Sequence, residues 1–265
     1  MAIFHLSDAQ PVVYILPDKY DQRNAATLAA LLHKHNIQFF IFSDGYQEPL
    51  RPFSQQYSSS LSSAPAQPNI VIDCTINPVA EPNEFLPDIL DEHPNVCLLS
   101  SSPVGTASSL SALYGAFNLA KVNFLHGFFP DNLVEVSYPL DVEPETKRAV
   151  EKFLRFLEIE PVEIEDIVGF VKPRILSMII NEAAFAVMEN VSSAQEIDEA
   201  MRLGTNYPKG PLAWADEIGL STVLVVLEAL YAEYKEPRYR PCRLLRSYVA
   251  VGWNGITEEK GFFAY

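Results

Sequence analysis

Several side chains in this sequence are of types that could bind a metal ion or move a proton. They are Asp18, Asp21, Asp44, His126 and Glu135. Carboxylates and imidazoles are common ligands of divalent metals, but the spacing of these residues is not diagnostic of a metal site. We therefore predict no metal from these residues alone.

The three cysteines point away from both zinc and disulfide chemistry. Cys74, Cys97 and Cys242 are odd in number and form no Cys-x-x-Cys pair. This usage is typical of a reducing compartment. The N-terminal residues lack a basic segment followed by an apolar run, and no apolar stretch approaches the length of about 18 residues that a membrane span needs. We expect a cytoplasmic protein that does not bind membranes.

The charge balance limits the classes of partner. The chain has 34 acidic and 19 basic residues, which gives a formal net charge of -15. An acidic surface repels the phosphates of nucleic acids, so we expect no nucleic-acid partner. A polyanionic small molecule would need a local basic pocket to offset the same field.

The elements that must position these side chains differ between the two halves of the chain. In the first half, apolar runs at 11–16 and 37–42 flank a helical segment at 22–35, which predicts a β-α-β unit. Further strands are predicted at 69–75, 96–99, 121–125 and 133–137, with helices at 83–93, 106–118 and 144–158. The sequence therefore predicts an α/β, doubly wound, Rossmann-like N-terminal domain over residues 1–166.

The second half has only helical patterns. Apolar residues recur with helical spacing at 175–190, 194–203, 212–234 and 244–251. Ser193 and Glu196 have the spacing of a capping box at the start of the second helix. We expect an all-α C-terminal domain over residues 167–265.

The turn after the first strand is poorly suited to a dinucleotide. A bound pyrophosphate needs a tight glycine turn that lets the backbone approach, followed by a helix N-terminus with free amides. Here the first strand leads into residues 17–22, and no glycine occurs before Gly45. Asp18 and Asp21 would also place negative charge near the phosphates.

Four ordered motifs in the helical half carry a resemblance to a known family. They are residues 168–174 (VGFVKPR), 197–204 (IDEAMRLG), 206–212 (NYPKGPL) and 261–265 (GFFAY). Together they resemble the C-terminal domain of the 3-hydroxyacyl-CoA dehydrogenases. In the first half, residues 71–73, 98–102 and 133–136 match the family more loosely.

The resemblance implies NAD-dependent oxidation of the 3-hydroxyl of an acyl-CoA, and a homodimer formed through the helical domain. In this family a histidine takes the hydroxyl proton, a glutamate orients the histidine, and a serine and an asparagine hold substrate oxygens. Glu135 matches the orienting glutamate. Ser102, ahead of its neighbours Ser100 and Ser101, matches the serine. Asp44 stands where the family has the acid that binds the cofactor ribose.

The position of the base depends on how one loop is aligned. An alignment without gaps puts Asn123 at the base position, and an amide cannot accept the proton. A shortened loop puts His126 there instead, and the residues around it favour this second alignment. Both alternatives stay open at this point.

Three departures from the family pattern indicate that its reaction is impaired in this chain. The glycine turn is missing, Pro173 replaces the substrate-binding asparagine, and only residues 45–70 stand where the family has a long, lysine-bearing hairpin. The sequence therefore leaves three hypotheses. The chain is a divergent working dehydrogenase, a non-catalytic dimeric module that binds a different ligand or a protein partner, or an enzyme for another substrate in the same cleft. The resemblance implies a small-molecule ligand of the acyl-CoA class.

Overall fold

The computed structural model describes residues 10–43, 45, 47–63, 66–128 and 132–265. Asp44 lies outside the described residues. The chain divides into two compact units, residues 1–167 and 168–265. Among the helices of the described residues, none has the length and apolar composition required to cross a membrane.

The first unit is built on one sheet. Within the described residues its strands are β1 (Val12–Leu16), β2 (Gln38–Phe42), β3 (Tyr57–Ser58), β4 (Ile70–Asp73), β5 (Cys97–Ser100), β6 (Leu119–Val122), β7 (Leu133–Ser137) and β8 (Glu160–Glu163). Their spatial order is β3-β2-β1-β4-β5-β6-β7-β8. Neighbouring strands are parallel except for the antiparallel pair β6–β7.

Helices cover both faces of this sheet, as the Rossmann-like prediction requires. They are α1 (Arg23–Lys34), α2 (Leu86–Glu92), α3 (Ala107–Tyr114) and α4 (Pro144–Phe156). Alternate residues of β1 enter two different cores: Val13 and Ile15 pack with Leu28 of α1, whereas Tyr14 and Leu16 belong to the cluster on the other face. A strand buried on both faces has to be apolar at nearly every position, which explains the continuous apolar run in the sequence.

The strand order creates a crevice where the direction of winding reverses. The chain passes from β1 to β2 and β3 on one side, and then returns to place β4 on the other side of β1. In open α/β sheets, ligands bind outside the carboxyl ends of the strands at this reversal point. The loops that follow β1 and β4 therefore decide what this edge of the sheet can bind.

The structure differs from the sequence prediction at one helix, and it contains an edge strand that was not predicted. Residues 212–234 form two helices, α7 (Pro211–Ile218) and α8 (Leu220–Tyr234), because Gly219 adopts φ 99° and ψ 125°, a backbone conformation that ends a helix. The strand β8 was not predicted because its sequence, Glu-Pro-Val-Glu, is short and largely exposed at the edge of the sheet.

The second unit consists of α5 (Lys172–Met188), α6 (Ala194–Thr205), α7, α8 and α9 (Arg243–Ala250). Carboxylates in this unit accept hydrogen bonds from backbone amides at helix starts and near the C-terminus. The predicted capping box is confirmed, since Glu196 N–H donates to Ser193 Oγ and Ser193 N–H donates to the Glu196 carboxylate. Asp198 accepts from two amides at the start of α7. Asp216 accepts from the amides of Phe262 and Phe263 near the C-terminus.

Candidate functional site

A cleft of about 590 Å³ lies at the carboxyl ends of β1, β2 and β4. Its walls come from residues 17–20 after β1, from Ser43 and Gly45 after β2, from Thr75 after β4, and from residues 81–85. This is the edge at which the strand order reverses, so the cleft occupies the position expected of a nucleotide site.

The carboxylate of Asp18 lies at the centre of the turn that follows β1. Its Oδ1 accepts from the backbone amides of Tyr20 at 2.9 Å and Asp21 at 3.1 Å, and its Oδ2 accepts from the amide of Ile76 at 2.9 Å. Burial raises the pKa of Asp18, and the three amides act in the opposite direction. One side chain thus joins the loop after β1 to the loop after β4.

A second aspartate accepts a hydrogen bond from the first backbone amide of α1. Asp21 Oδ1 accepts from Arg23 N–H at 3.0 Å and from the Arg23 side chain at 2.8 Å. The dinucleotide pyrophosphate that the resemblance implies does not fit this arrangement. The turn has no glycine, and amides that would face the phosphates already face carboxylates of the chain itself.

Glutamine side chains tie the same turn to the loop after β2. Gln22 Nε2 donates to the Gly45 carbonyl at 2.7 Å, and Gln47 N–H donates to Gln22 Oε1 at 3.0 Å. Gln47 Nε2 in turn donates to the carbonyl of Lys19 at 3.2 Å. The loops around the cleft are therefore linked by contacts between side chains and backbone. The role of Asp44 as a ribose-binding acid stays a prediction.

Asp73, at the carboxyl end of β4, is a fully buried acid that the sequence showed only as part of a strand motif. Its Oδ1 accepts from Thr75 Oγ1 at 2.6 Å, and its Oδ2 accepts from Tyr114 OH at 3.0 Å. Burial raises the pKa of Asp73 to about 6, although both hydrogen bonds favour the ionised form. The pKa makes Asp73 sensitive to mildly acidic pH.

Asn123 and Glu135 form a hydrogen-bonded pair at the same edge of the sheet. The antiparallel register of β6 and β7 pairs Val122 with Val136, and the next pair outward is Asn123 and Glu135. Asn123 Nδ2 donates to Glu135 Oε2 at 3.2 Å. Because a carboxylate can only accept, the amide nitrogen must face Glu135, and the Asn123 Oδ1 points elsewhere. Among the described residues this buried oxygen has no hydrogen-bond partner.

His126 lies in the turn that follows β6. Its side chain is half-buried, and its backbone N–H donates to Asn24 Oδ1 of α1 at 2.5 Å. The structure thus brings the Asn123 side chain onto Glu135 and holds His126 through its backbone. The role of His126 as a catalytic base stays a prediction.

Ser102 is fully buried, and its hydroxyl stabilises a turn. Ser102 Oγ donates to the carbonyl of Ile76 at 2.8 Å and accepts from Val104 N–H at 3.0 Å. The neighbouring Ser101 Oγ is buried with no hydrogen-bond partner in the described part of the chain. The assignment of Ser102 to a substrate oxygen remains a prediction.

Pro173 lies in the first turn of α5, where its missing N–H leaves no helical bond unmade.

Lys121 was missed by the sequence reasoning. It is fully buried in β6, and its Nζ donates to the carbonyls of Gly105 at 2.7 Å and Ile167 at 3.1 Å. Burial lowers the pKa of Lys121 to about 8, and the charge of Asp166 opposes this shift. The available signal was a lone lysine within the apolar strand Leu-Ala-Lys-Val. Its contacts indicate a structural role.

Comparison with known proteins identifies a family match to the helical unit and relatives of half of the chain. A family model described as "3-hydroxyacyl-CoA dehydrogenase, C-terminal domain" matches residues 169–265. A probable 3-hydroxybutyryl-CoA dehydrogenase of Bacillus subtilis is 44% identical over 133 residues, which cover 50% of this chain and 46% of that protein. A 3-hydroxybutyryl-CoA dehydrogenase of Bradyrhizobium diazoefficiens is 38% identical over 133 residues. The chain thus spans about half the length of these curated relatives.

Solved structures resemble the whole chain. The (S)-3-hydroxybutyryl-CoA dehydrogenase of Ralstonia eutropha has a TM-score of 0.76 at 28% identity and covers 97% of this chain and 99% of its own. The 3-hydroxybutyryl-CoA dehydrogenase of Escherichia coli has a TM-score of 0.71 at 19% identity, covers 97% of this chain and 60% of its own, and supports the fold alone.

Proposed function

Because residues 169–265 match the C-terminal domain of the 3-hydroxyacyl-CoA dehydrogenases, we propose that the chain is a member of that family and binds a small ligand of the acyl-CoA class, while the family's NAD-dependent oxidation is impaired. The observation that carries this proposal is the hydrogen bond from Asn123 to Glu135. The Asn123 amide donates a hydrogen bond to Glu135, the residue that in the family would orient a catalytic histidine.

The chemistry of an amide separates binding from proton transfer. Oxidation of a hydroxyl requires a group that removes its proton, and a side chain with that task needs a pKa near the working pH. An amide oxygen accepts a hydrogen bond from a hydroxyl but does not take its proton. Asn123 Oδ1 is therefore suited to hold a substrate hydroxyl without activating it.

Unpartnered polar atoms at this edge support a ligand-binding role. Asn123 Oδ1 and Asn24 Nδ2 are buried and, among the described residues, have no hydrogen-bond partner. Leaving such an atom unsatisfied costs about 1–3 kcal/mol. A bound polar molecule would recover this free energy by donating to one atom and accepting from the other.

Two measurements test the proposal. Reduction of acetoacetyl-CoA by NADH is followed by absorbance, and binding of 3-hydroxybutyryl-CoA is followed by calorimetry. We expect no turnover above the protein-free rate, together with measurable binding. Asn123→Ala should weaken binding by about 3- to 10-fold, the equivalent of one hydrogen bond. Asn118→Ala is the matched control, because Asn118 precedes β6 at the opposite edge of the sheet and donates to Asn95.

Other outcomes would contradict the proposal in distinct ways. Turnover that His126→Ala abolishes would identify His126 as a working base and restore the dehydrogenase hypothesis. Failure of the wild-type protein to bind any thioester at millimolar concentration would remove the acyl-CoA class of ligand. The cytoplasmic location expected from the sequence stays a prediction.

A further inference from the structure

We propose that the Asp18 carboxylate occupies the position that the diphosphate of a nucleotide would take, and that this one residue prevents dinucleotides from binding in the cleft. The inference concerns a different residue and a different ligand from those of the proposed function. It rests on the contacts of Asp18 on both sides of the point where the strand order reverses.

The amides that Asp18 occupies converge from two separate loops. Tyr20 and Asp21 follow β1, whereas Ile76 follows β4 and lies 58 residues further along the chain than Asp18. Backbone N–H groups that point at one spot form an anion site, which in nucleotide-binding folds holds a phosphate. Here the anion is supplied by the chain itself, and it is only 8% exposed.

A diphosphate could not share these amides with Asp18. Each N–H has one hydrogen to donate, so a phosphate oxygen could bind only if the carboxylate left. The carboxylate would also remain close enough to repel the phosphate charge, and burial strengthens that repulsion because solvent screening is weak. Further acids, Glu81 and Glu84, line the same cleft.

The position of Asp18 is also the position that a glycine turn would require. Nucleotide-binding turns use glycine so that no side chain stands between the backbone and the pyrophosphate. At this place the chain has a side chain whose carboxylate fills that space and satisfies the amides. Replacing Asp18 with glycine should therefore both empty the site and expose its donors.

The test measures binding of inorganic pyrophosphate and of NADH by calorimetry. We expect no detectable binding to the wild-type protein at millimolar ligand, and at least a tenfold tighter binding of pyrophosphate by Asp18→Gly, since about 1.4 kcal/mol from the freed amides suffices. Asp18→Asn should gain less, because its single amide oxygen can still accept from the N–H groups of Tyr20 and Asp21, and only the amide of Ile76 is released. Asp141→Asn removes an equal charge from an exposed position and should behave as the wild type.

Thermal unfolding of every variant establishes that it is folded, and Asp18→Ser replaces Asp18→Gly if the glycine variant does not fold. Micromolar binding of NADH to the wild-type protein would overturn the inference. So would a folded Asp18→Gly or Asp18→Ser variant that binds pyrophosphate no more tightly than Asp141→Asn. An equal gain in pyrophosphate affinity in Asp18→Asn and Asp18→Gly would refute the proposal that the Asp18 carboxylate blocks the amides by accepting their hydrogen bonds. Because no turnover is measured, none of these outcomes tests the role of Asn123.

Discussion

Single residues at the carboxyl ends of the strands distinguish this chain from the pattern of the family that it resembles. Asp18 satisfies backbone amides, Asn123 faces Glu135, and Asp73 is an acid without solvent contact. Each is polar and buried, so each has a defined hydrogen-bond geometry and a measurable effect when it is changed. Asp73 is the most direct to test, because its pKa lies in an accessible range.

Asp73 should make stability depend on pH between its ordinary pKa and its folded pKa. Burial raises the pKa of Asp73 from 3.8 to about 6, so the folded state binds the proton more tightly than the unfolded state. The stability from this group is present below pH 3.8 and is lost as pH rises towards 6, in total on the order of 3 kcal/mol. Denaturant unfolding at pH 5, 5.5, 6 and 7 should show this decline, and Asp73→Asn should lack it. The same pH slope in both proteins would contradict the assignment.

At the scale of elements, glycines and capping carboxylates fix where helices end and how the C-terminal segment attaches. Gly219 separates α7 from α8, and Asp216 binds the amides of Phe262 and Phe263. Gly255 adopts φ +102°, and a Cβ added there would lie 2.1 Å from the Asp216 backbone oxygen. The close approach of these two backbones explains why a side chain cannot be accommodated at residue 255.

Gly255 and Gly252 form a matched pair for testing this close approach. Both have positive φ, but a Cβ added at Gly252 would have no heavy atom within 4 Å. We expect Gly255→Ala to lower the free energy of unfolding by about 3 kcal/mol, and Gly252→Ala by about 1 kcal/mol from backbone strain alone. Urea unfolding monitored by circular dichroism measures both values. Equal effects of the two substitutions would show that the contact with Asp216 relaxes freely.

At the scale of the whole molecule, the resemblance implies a homodimer through the helical unit. That unit exposes large apolar side chains, among them Val191 at 71%, Leu203 at 74% and Val251 at 64%. Burial of such surface between subunits would be favourable by about 25 cal/mol per Å² of apolar area before the cost of association is subtracted. The net charge of -15 opposes association at low ionic strength, so salt should favour the dimer.

Light scattering of the purified protein tests the dimer. We expect a mass of twice 29.6 kDa, and a shift towards the monomer when Leu203→Lys places a charge in the helical unit. Leu140→Lys is the control, because Leu140 is 93% exposed in the first unit and should leave the mass unchanged. A wild-type mass of 29.6 kDa at all concentrations and salt conditions would contradict the prediction.

The sequence alone predicted the fold class and the resemblance to the 3-hydroxyacyl-CoA dehydrogenases, and it identified the missing glycines in the turn after the first strand. The strands β1 and β2 were predictable because each carries a run of apolar residues, broken in β2 only by the exposed Gln38, as expected of strands that are largely buried on both faces. The capping box of α6 was predictable because its hydrogen bonds join residues three apart. The missing glycine before residue 45 is likewise a local feature of the chain.

Only the tertiary structure decided which polar groups meet. Asp18 is hydrogen-bonded to Ile76, which lies 58 residues away in the sequence, and Asp73 to Tyr114, which lies 41 residues away. The antiparallel register of β6 and β7 places Asn123 beside Glu135. A loop can be aligned with or without a gap in the sequence, but a strand register assigns one partner to each residue. Burial, which shifts the pKa of Asp73 and Lys121, is likewise a property of the packed sheet and not of the local sequence.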